Sequence, residues 1–311
     1  MHIVKYDQTY KERWDAFVKA SRNGTFLFYR DYMEYHRDRF EDYSLMLMSD
    51  DYEILAMLPA NVVENRLYSH QGLTYGGWIM GYRTFGNDPL AWFEILKEYL
   101  TSHGIVSLQY KPVPHIYHTH PCEEDLYALF RQNARLTVRN LSTVIEMRNP
   151  IKSSRLGKRA IKRQKASDII VKELNCADEF WPIIVEDRRV RHNTKPVHNA
   201  AEMNLLHGYF PKNIRFFGAY KDGKIEAGAV IYYDRDVIHL QYAAATPYGK
   251  DIYATDVIYH ELIFNICKEA KCFDFGISNE NAGQYLNEGM VHHKEEFGGR
   301  SVVYDAYTLD F

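Results

Sequence analysis

The spacing of apolar residues changes along the chain between the period of a helix and the period of a strand. Residues 7–21 place Trp14, Phe17 and Val18 on one side of a helix, whereas the period changes to two from Tyr43 onward. The elements predicted in the first half are helices at 7–21 and 31–40, strands at 43–49 and 53–63, a strand-and-turn region at 65–78, a helix at 89–103, a strand at 105–111, a helix at 125–133 and a strand at 141–147.

A second block begins after Asn149-Pro150. Within it, Asp222-Gly223 separates two strand patterns, which is a strong signature of a tight hairpin. The predicted elements are a helix at 153–166, a strand at 169–174, helices at 177–191 and 200–209, strands at 214–221, 224–233 and 237–244, a helix at 255–270, a strand at 272–276, a helix at 279–297 and a strand at 301–309.

Each half is thus predicted to contain antiparallel strands followed by a helix, a strand, a helix and a last strand. This order indicates a mixed α/β fold whose sheets are mostly antiparallel, with helical crossovers late in each half. Because both halves share one order of elements, we expect a duplicated architecture with domains at 1–149 and 150–311.

Composition narrows the class of protein. Apolar residues make up 46 % of the 311 residues and charged residues 25 %, which is typical of a globular chain with a core. No apolar run approaches the roughly 18 residues that cross a bilayer, and the N-terminus carries no apolar signal core. The four cysteines form no CxxC pair. Together these features predict a cytoplasmic protein with no membrane span.

One segment departs from the net charge of −3 that 38 basic and 41 acidic residues give. Residues 152–165 hold seven Lys or Arg and no acid, with Arg155, Arg159 and Arg163 at helical spacing four. Like charges at this spacing repel, so a bound phosphate would stabilise them, and Arg binds phosphate through paired hydrogen bonds. The alternative is a solvated helix whose charges meet acids elsewhere. The segment is too short a footprint to favour DNA binding.

Five motifs follow one another along the chain: Leu58-Pro59-Ala60, Ser69-His70-Gln71-Gly72-Leu73-Thr74-Tyr75-Gly76-Gly77, Lys158-Arg159-Ala160-Ile161-Lys162-Arg163, Phe273-Asp274-Phe275-Gly276 and Lys294-Glu295-Glu296-Phe297-Gly298-Gly299. In their order and spacing they resemble the FemAB-like acyltransferases, which carry two GNAT-type domains in one chain. The resemblance implies transfer of an acyl or aminoacyl group to an amine, from aminoacyl-tRNA or from acyl-CoA as co-substrate, with no further cofactor. The chain departs from the family in two respects: the stretch 246–254 has one glycine where CoA-binding relatives have a glycine-rich loop, and the long helical arm of some cross-bridge enzymes is missing.

The resemblance also implies the catalytic residues. Lys294 matches the family's lysine before Phe-Gly-Gly, and its charge would stabilise the oxyanion that forms when an amine attacks an acyl carbonyl. The alternative is a lysine that merely favours a helix C-terminus. Asp274, Glu295 or Glu296 would assist deprotonation of the amine, and backbone N–H groups of the strand before Thr246 would polarise the carbonyl.

Binding residues are predicted on three elements. Arg159, Lys162 and Arg163 would hold the phosphates of a substrate. Tyr285 and Asn279 are further substrate-binding candidates, although a core tyrosine and a capping asparagine are the plain alternatives. The donor-binding candidates lie where a helix start would bind an anion: Gly249, Tyr253 and Thr255. A helix cap formed by Thr255 or Asp256 is the alternative there.

A metal site is not predicted. His115, His118, His120 and Cys122 offer ligand types that zinc favours, but Pro114 and Pro121 indicate an extended loop in which ligands this close rarely converge.

The sequence therefore predicts an acyltransferase that acts on an amine of a phosphorylated or nucleotide-linked cell-envelope precursor. Its partners would be that small molecule and, as a donor, tRNA, with no DNA. Two alternatives remain: an acyl-CoA-dependent N-acetyltransferase of an amino sugar, and a GNAT-derived module that binds a nucleotide or RNA without catalysis.

Overall fold

A computed structural model describes residues 1–151 and 168–311, apart from the side chain of His192. The predicted basic helix, with Arg159, Lys162 and Arg163, lies outside the described residues. The chain divides into two compact units. The first unit comprises residues 1–140, 281–284 and 303–311, and the second unit comprises residues 141–280 and 285–302. The sequence places one boundary between 149 and 150, whereas in the structure two late segments return to the first unit.

The described strands, numbered in chain order, are β1 (His2–Lys5), β2 (Glu41–Asp42), β3 (Leu45–Met48), β4 (Ile54–Leu58), β5 (Asn61–Val63), β6 (Arg66–Tyr68), β7 (Ile79–Met80), β8 (Ser107–Tyr110), β9 (Arg135–Glu146), β10 (Ile170–Leu174), β11 (Ile214–Lys221), β12 (Lys224–Asp234), β13 (Val237–Ala245), β14 (Cys272–Ile277), β15 (Asn279–Glu280), β16 (Tyr285–Leu286) and β17 (Arg300–Asp310). Two of them, β9 and β17, contribute residues to both units.

The described α-helices are α1 (Lys11–Ala20), α2 (Arg30–Met33), α3 (Asp88–Ser102), α4 (Glu124–Arg131), α5 (Trp181–His192), α6 (Ala200–Tyr209), α7 (Pro247–Asp251), α8 (Ala254–Glu261) and α9 (Glu288–Glu296). Among the described residues, no helix combines the length and the apolar character that crossing a membrane requires.

The first unit contains an antiparallel sheet of order β1-β3-β4-β7 and a run of strands of order β17-β8-β6-β5-β2. In the second run only the pairing of β6 with β8 is parallel. The second unit has the order β10-β11-β12-β13-β14-β9, in which only β13 and β14 are parallel. The predicted mixed α/β class, with mostly antiparallel sheets flanked by helices, is confirmed.

The glycine pair near residue 77 is explained by the core of the first unit. Gly77 has φ +77°, and a Cβ there would lie 2.7 Å from the Tyr110 hydroxyl oxygen. That hydroxyl accepts a hydrogen bond from the Trp78 main-chain N–H at 2.6 Å and donates one to Asp125 at 2.6 Å. A side chain at residue 77 would push the tyrosine ring away from both partners. This glycine therefore has a packing role.

The core of the second unit lies between its sheet and α8. Phe273 and Phe275 of β14 join Val257 and Ile258 of α8 in one apolar cluster. Tyr259 meets the Phe275 ring edge-on, with centroids 5.5 Å apart. The β11–β12 hairpin is confirmed: its two turn residues, at 222 and 223, have φ values of +50° and +78°, as a two-residue hairpin turn requires.

Two predicted helices of the second unit are shorter than expected. The predicted helix at 255–270 is α8 followed by one π-helical stretch, Leu262–Ile266. The predicted helix at 279–297 is wrong before Glu288, because Ala282 and Gly283 have φ of +51° and +91° and turn the chain between β15 and β16. α9 begins only after Asn287, whose side chain accepts the Met290 N–H.

Candidate functional site

The parallel strands β13 and β14 pair over three residues only. Their pairing runs from Val237 with Cys272 to His239 with Asp274, and then it stops. Both strands continue beyond this point, to Ala245 and to the residue at 277. The main-chain groups of β13 that follow His239 are therefore outside the β13–β14 ladder, and the two strands diverge within the second unit.

A bulge lies in β13 at the same place. The pairing of β13 with β12 steps from Tyr242–Val230 to Leu240–Ile231, so that Gln241 is an extra residue. Bulges bend a strand and redirect its main-chain groups, and they are common beside active sites. This bulge begins two residues after the last paired residue of the diverging strands.

A chain of buried polar groups starts from Asp274, which is 0 % exposed. One carboxylate oxygen accepts the Ser142 hydroxyl at 2.5 Å and the Gly276 N–H at 2.9 Å. The other lies 2.7 Å from Nδ1 of His239. Because an ionised carboxylate only accepts hydrogen bonds, Nδ1 is the donor in this pair, and in the neutral imidazole Nε2 of His239 carries the lone pair. The alternation of β14 explains why this aspartate faces away from Phe275.

Lys294 lies on α9 beside the end of β14 and is 8 % exposed. Its Nζ donates to the carbonyl of Gly276 at 2.7 Å, to the carbonyl of Ile277 at 3.1 Å and to the hydroxyl of Ser278 at 2.8 Å. Burial lowers the pKa of Lys294 to about 8, although the nearby negative charge of Asp274 opposes that effect. All three N–H donors are in use, so a direct bond to a substrate oxyanion requires one of them to change partner. The predicted catalytic role stays a prediction.

An ion pair joins α8 to α9. Nε2 of His293 lies 3.0 Å from a carboxylate oxygen of Asp256. This hydrogen bond raises the pKa of His293 above its ordinary value, against the effect of burial. When His293 is protonated, the pair places a positive charge beside Asp256 in the first turn of α8, so that Asp256 then presents less net charge to an approaching anion.

The donor-binding candidates lie in consecutive turns around α7 and α8. Gly249 is buried in α7 and donates its N–H to the Thr246 hydroxyl at 2.9 Å. A Cβ at Gly249 would lie 2.2 Å from the main-chain oxygen of Glu226, so this glycine allows α7 to approach β12. Tyr253 is exposed, and Thr255 is half-buried in the first turn of α8.

The predicted helix cap is wrong at this point. Thr255 and Asp256 lie inside α8, and the residue before it, Tyr253, has left-handed φ of +60° and provides no side-chain cap. The capping hydroxyl belongs to Thr246, one helix earlier, where Pro247 begins α7.

The remaining substrate-binding candidates lie on the short strands β15 and β16. The side-chain oxygen of Asn279 accepts the Leu141 N–H at 2.5 Å, so this residue links β15 to β9 and caps no helix. Tyr285 lies in β16, paired with Glu280, and its side chain is exposed. Its predicted placement on a helix is therefore wrong.

Within residues 1–151 and 168–311, no group of three or more His, Cys, Asp or Glu side chains is arranged to hold a metal ion. Among the histidines of the extended loop, His115 begins a 3-10 turn, and Nε2 of His118 lies 2.9 Å from the main-chain oxygen of Val113.

Sequence reasoning missed His239 and Ser142. His239 is 35 residues from Asp274 in the chain, and Ser142 is 132 residues from it. Neither stands in a recognisable motif, and only the pairing of β13, β14 and β9 brings the three together. The one local indication was the polar position of Asp274 between two phenylalanines.

Comparison with known proteins identifies the domain. Residues 158–287 match the family model described as an acetyltransferase (GNAT) domain. The similarity to a GNAT domain covers this part of the chain. FemX shares the fold over 100 % of this chain and 98 % of its own, at 10 % identity and a TM-score of 0.70. A search of curated protein sequences finds no match.

Two further solved structures share this GNAT fold. The structure of L-PGS from Bacillus licheniformis covers 97 % of this chain and 92 % of its own, at 15 % identity and a TM-score of 0.58. A tandem GNAT protein from the clavulanic acid biosynthesis pathway covers 99 % and 98 %, at 9 % identity and a TM-score of 0.52. The resemblance to GNAT-superfamily acyltransferases of the FemAB type is confirmed by the domain match and the fold.

Proposed function

We propose that this GNAT protein transfers an acyl or aminoacyl group from an activated ester or thioester to an amine on a phosphorylated or nucleotide-linked cell-envelope precursor. The observation that carries the proposal is the divergence of β13 and β14 after His239 and Asp274, next to the bulge at Gln241. Main-chain N–H groups of β13 beyond this point polarise a donor carbonyl that lies along the strand. These main-chain N–H groups are fixed in place before the reaction, so they stabilise the developing oxyanion without reorganising.

The chemistry is a direct transfer. The amine nitrogen attacks the acyl carbonyl, and the oxyanion forms beside β13. The intermediate then collapses, the bond from the carbonyl carbon to the oxygen or sulfur of the donor breaks, and the amine loses a proton. The acyl group ends on nitrogen, and the donor leaves as an alcohol or a thiol. No covalent intermediate on the enzyme is needed.

The donor's anionic portion is proposed to lie near Gly249, Tyr253 and Thr255. The first N–H groups of α8 lack intrahelical partners and attract negative charge. The pairing of Asp256 with His293 reduces the repulsion that a free acid would cause there. The FemX and L-PGS folds favour aminoacyl-tRNA as the donor.

The acceptor's phosphates are proposed to bind Arg159, Lys162 and Arg163, since guanidinium groups bind phosphate through paired hydrogen bonds. Tyr285, exposed on β16, and Asn279 are proposed as further acceptor contacts. The cell-envelope acceptor is supported by a further solved structure with this fold, the C-terminal domain of a putative lysylphosphatidylglycerol synthetase from Agrobacterium fabrum.

An acyl-CoA-dependent N-acetyltransferase acting on an amino sugar is the second candidate. It is favoured by the family model, which describes an acetyltransferase, and by the tandem GNAT relative, whose structure is described as lacking AcCoA.

The test uses the full chain with two donors, mixed aminoacyl-tRNA and acetyl-CoA, and with nucleotide-linked peptidoglycan precursors or amino sugars as acceptors. Mass spectrometry of the acceptor measures the transfer. An added aminoacyl mass supports the first proposal, and an added acetyl group supports the second. If no acceptor gains mass from either donor, acyl transfer is contradicted.

The phosphate contact has its own control. Changing Arg159, Lys162 and Arg163 together to Gln should raise KM for a phosphorylated acceptor and leave KM for its dephosphorylated form unchanged. An equal change for both acceptors would contradict a phosphate contact.

A further inference from the structure

We propose that His239 is the general base of this transfer, and that Asp274 and Ser142 are positioning residues that fix its tautomer and its ring. The inference rests on the proposed function, because it assigns a proton acceptor to the same reaction. Neither His239 nor Ser142 has an assigned role in the sequence motifs.

The hydrogen bonds of Asp274 leave one nitrogen of the imidazole available. Its carboxylate is held by the Ser142 hydroxyl and the Gly276 N–H on one oxygen and by Nδ1 of His239 on the other. Nδ1 is thereby kept protonated, and Nε2 is left as an acceptor. A base that is oriented by a third, buried group is the arrangement that recurs where a proton must be removed during acyl transfer.

The position of His239 suits this role. It is the last residue of β13 that pairs with β14, so its ring lies where the strands part. The His239 side chain is 14 % exposed, whereas that of Asp274 is 0 % exposed. Of these two groups only the imidazole reaches solvent, so it is the one that can meet a substrate amine in this proposal.

Gly276 lies beside Cε1 and Nε2 of the imidazole. A Cβ at this glycine, which has φ +76°, would lie 3.3 Å from Cε1 and 3.9 Å from Nε2 of His239. A side chain at residue 276 would therefore crowd these two ring atoms, while the N–H of the same glycine holds Asp274.

The other titratable groups nearby are engaged elsewhere. Nε2 of His293 is paired with Asp256 at 3.0 Å, so this nitrogen is not available to a substrate amine without breaking that pair. Lys294, on α9, donates its three hydrogen bonds to residues 276–278, at the end of β14 and just after it. The negative charge of Asp274 acts on Lys294 as well as on His239.

Two more elements pack against β13. From β12, Tyr232 lies opposite His239 in the register. From α5, Asp187 is paired with Arg191 at 3.0 Å and with Lys250 at 2.7 Å. In the part of the chain that the structure describes, the only ion pair of His239 is with Asp274.

The proton balance follows from this geometry. As the bond from nitrogen to the carbonyl carbon forms, Nε2 takes a proton from the amine. When the bond to the donor oxygen or sulfur breaks, the imidazolium returns that proton to the leaving group. His239 ends the cycle neutral, with its Nδ1 proton still on the Asp274 hydrogen bond.

The experiment compares wild type with His239→Gln, Asp274→Asn and Ser142→Ala by steady-state kinetics between pH 5.5 and 9. Loss of a general base costs on the order of 10²–10⁴-fold in rate. We expect His239→Gln to lower kcat by this factor near pH 7 with little change in KM, and to abolish the acid limb of the pH profile. Added imidazole should restore part of the activity.

Asp274→Asn should lower kcat on the order of tenfold to a hundredfold, and should shift the acid limb rather than abolish it. Ser142→Ala should have a smaller effect in the same direction. His103→Gln, which changes an exposed histidine of the first unit, is the matched control and should leave both the rate and the pH profile unchanged.

The outcomes separate the two proposals. If wild type transfers nothing from either donor, the proposed function fails. If wild type is active and folded His239→Gln keeps its rate and acid limb, the base assignment alone is overturned. Should His239→Gln not fold, ¹⁵N NMR of the wild-type histidines decides: a proton on Nδ1 and none on Nε2 at pH 7 supports the assignment, and the opposite tautomer overturns it.

Discussion

Two partly or fully buried lysines have the same lowered pKa but different surroundings, and this contrast gives the sharpest test of the structure. Burial lowers the pKa of Lys111 to about 8, as it does for Lys294. Nζ of Lys111 makes one hydrogen bond, to the carbonyl of Leu73 at 2.5 Å, and no acidic side chain pairs with it in the described residues. A pKa of about 8 instead of 10.5 means that folding weakens the binding of this proton by about 3 kcal/mol.

Lys111→Met removes that charge and keeps the length of the side chain. It leaves one carbonyl without its partner, which costs about 1–2 kcal/mol, so we expect a net gain in unfolding free energy of about 1–2 kcal/mol at pH 7. Lys294→Met should have the opposite sign. It leaves two carbonyls and a hydroxyl without their donor, a cost that outweighs the relief by about 1–3 kcal/mol.

The pH dependence follows from the direction of the shift. Below pH 8 the folded protein holds a charged lysine that is partly buried, and the free energy of unfolding is reduced. As pH rises from about 8 to 10.5, folded Lys111 loses its proton before the unfolded chain does, so stability rises. Urea unfolding of wild type and Lys111→Met at pH 7 and pH 9.5 measures this. The difference in unfolding free energy between Lys111→Met and wild type should be smaller at pH 9.5 than at pH 7. The reasoning is refuted if Lys111→Met is the less stable protein at pH 7.

Three further predictions concern packing and pH. Gly249→Ala should lower the unfolding free energy in the same urea assay by about 1–3 kcal/mol, because its Cβ would lie 2.2 Å from a main-chain oxygen. Gly208→Ala is the control: it has open space around it in a helix, and it should raise the unfolding free energy by about 0.5 kcal/mol. Because the pKa of His293 is raised, its pair with Asp256 stabilises the fold below about pH 6.5, and this stabilisation is lost as the pH rises through the folded pKa. Asp256→Asn should therefore flatten that part of a curve of Tm against pH. Burial raises the pKa of Asp125 to about 7, so stability should fall as pH rises from 4 to 7, and Asp125→Asn should remove the fall; an unchanged slope would contradict this.

Local patterns predicted much of the fold. The hairpin at Asp222-Gly223 and the helix at 200–209 depend on neighbouring residues alone, and both lie where expected. The prediction was wrong where the chain conformation depends on positive φ at residues that rarely adopt it. Ala282 is such a residue, and it interrupts the stretch 279–297 that was predicted to be one helix. Tyr253 is another, and it precedes α8 where a side-chain cap at Thr255 or Asp256 was predicted.

The candidate site was predictable only in part. Lys294 and Asp274 came from resemblance to a family, and alternation along β14 indicated that Asp274 faces away from its aromatic neighbours. His239 and Ser142 reach that aspartate through strand pairing over 35 and 132 residues, and pairing register is not encoded in any short segment.

Strand β17 has a consequence for how the protein is made. Its segment Tyr307–Asp310 pairs with residues 107–110 of β8, inside the first unit. A ribosome that synthesises the chain in order completes the whole of the second unit before it supplies this strand. The first unit must therefore wait, with one edge of β8 unsatisfied, and a fragment cut after residue 140 would keep that edge exposed to aggregation. The first unit is thus completed only by the end of the chain, and a gene cut after residue 140 would leave it without this strand.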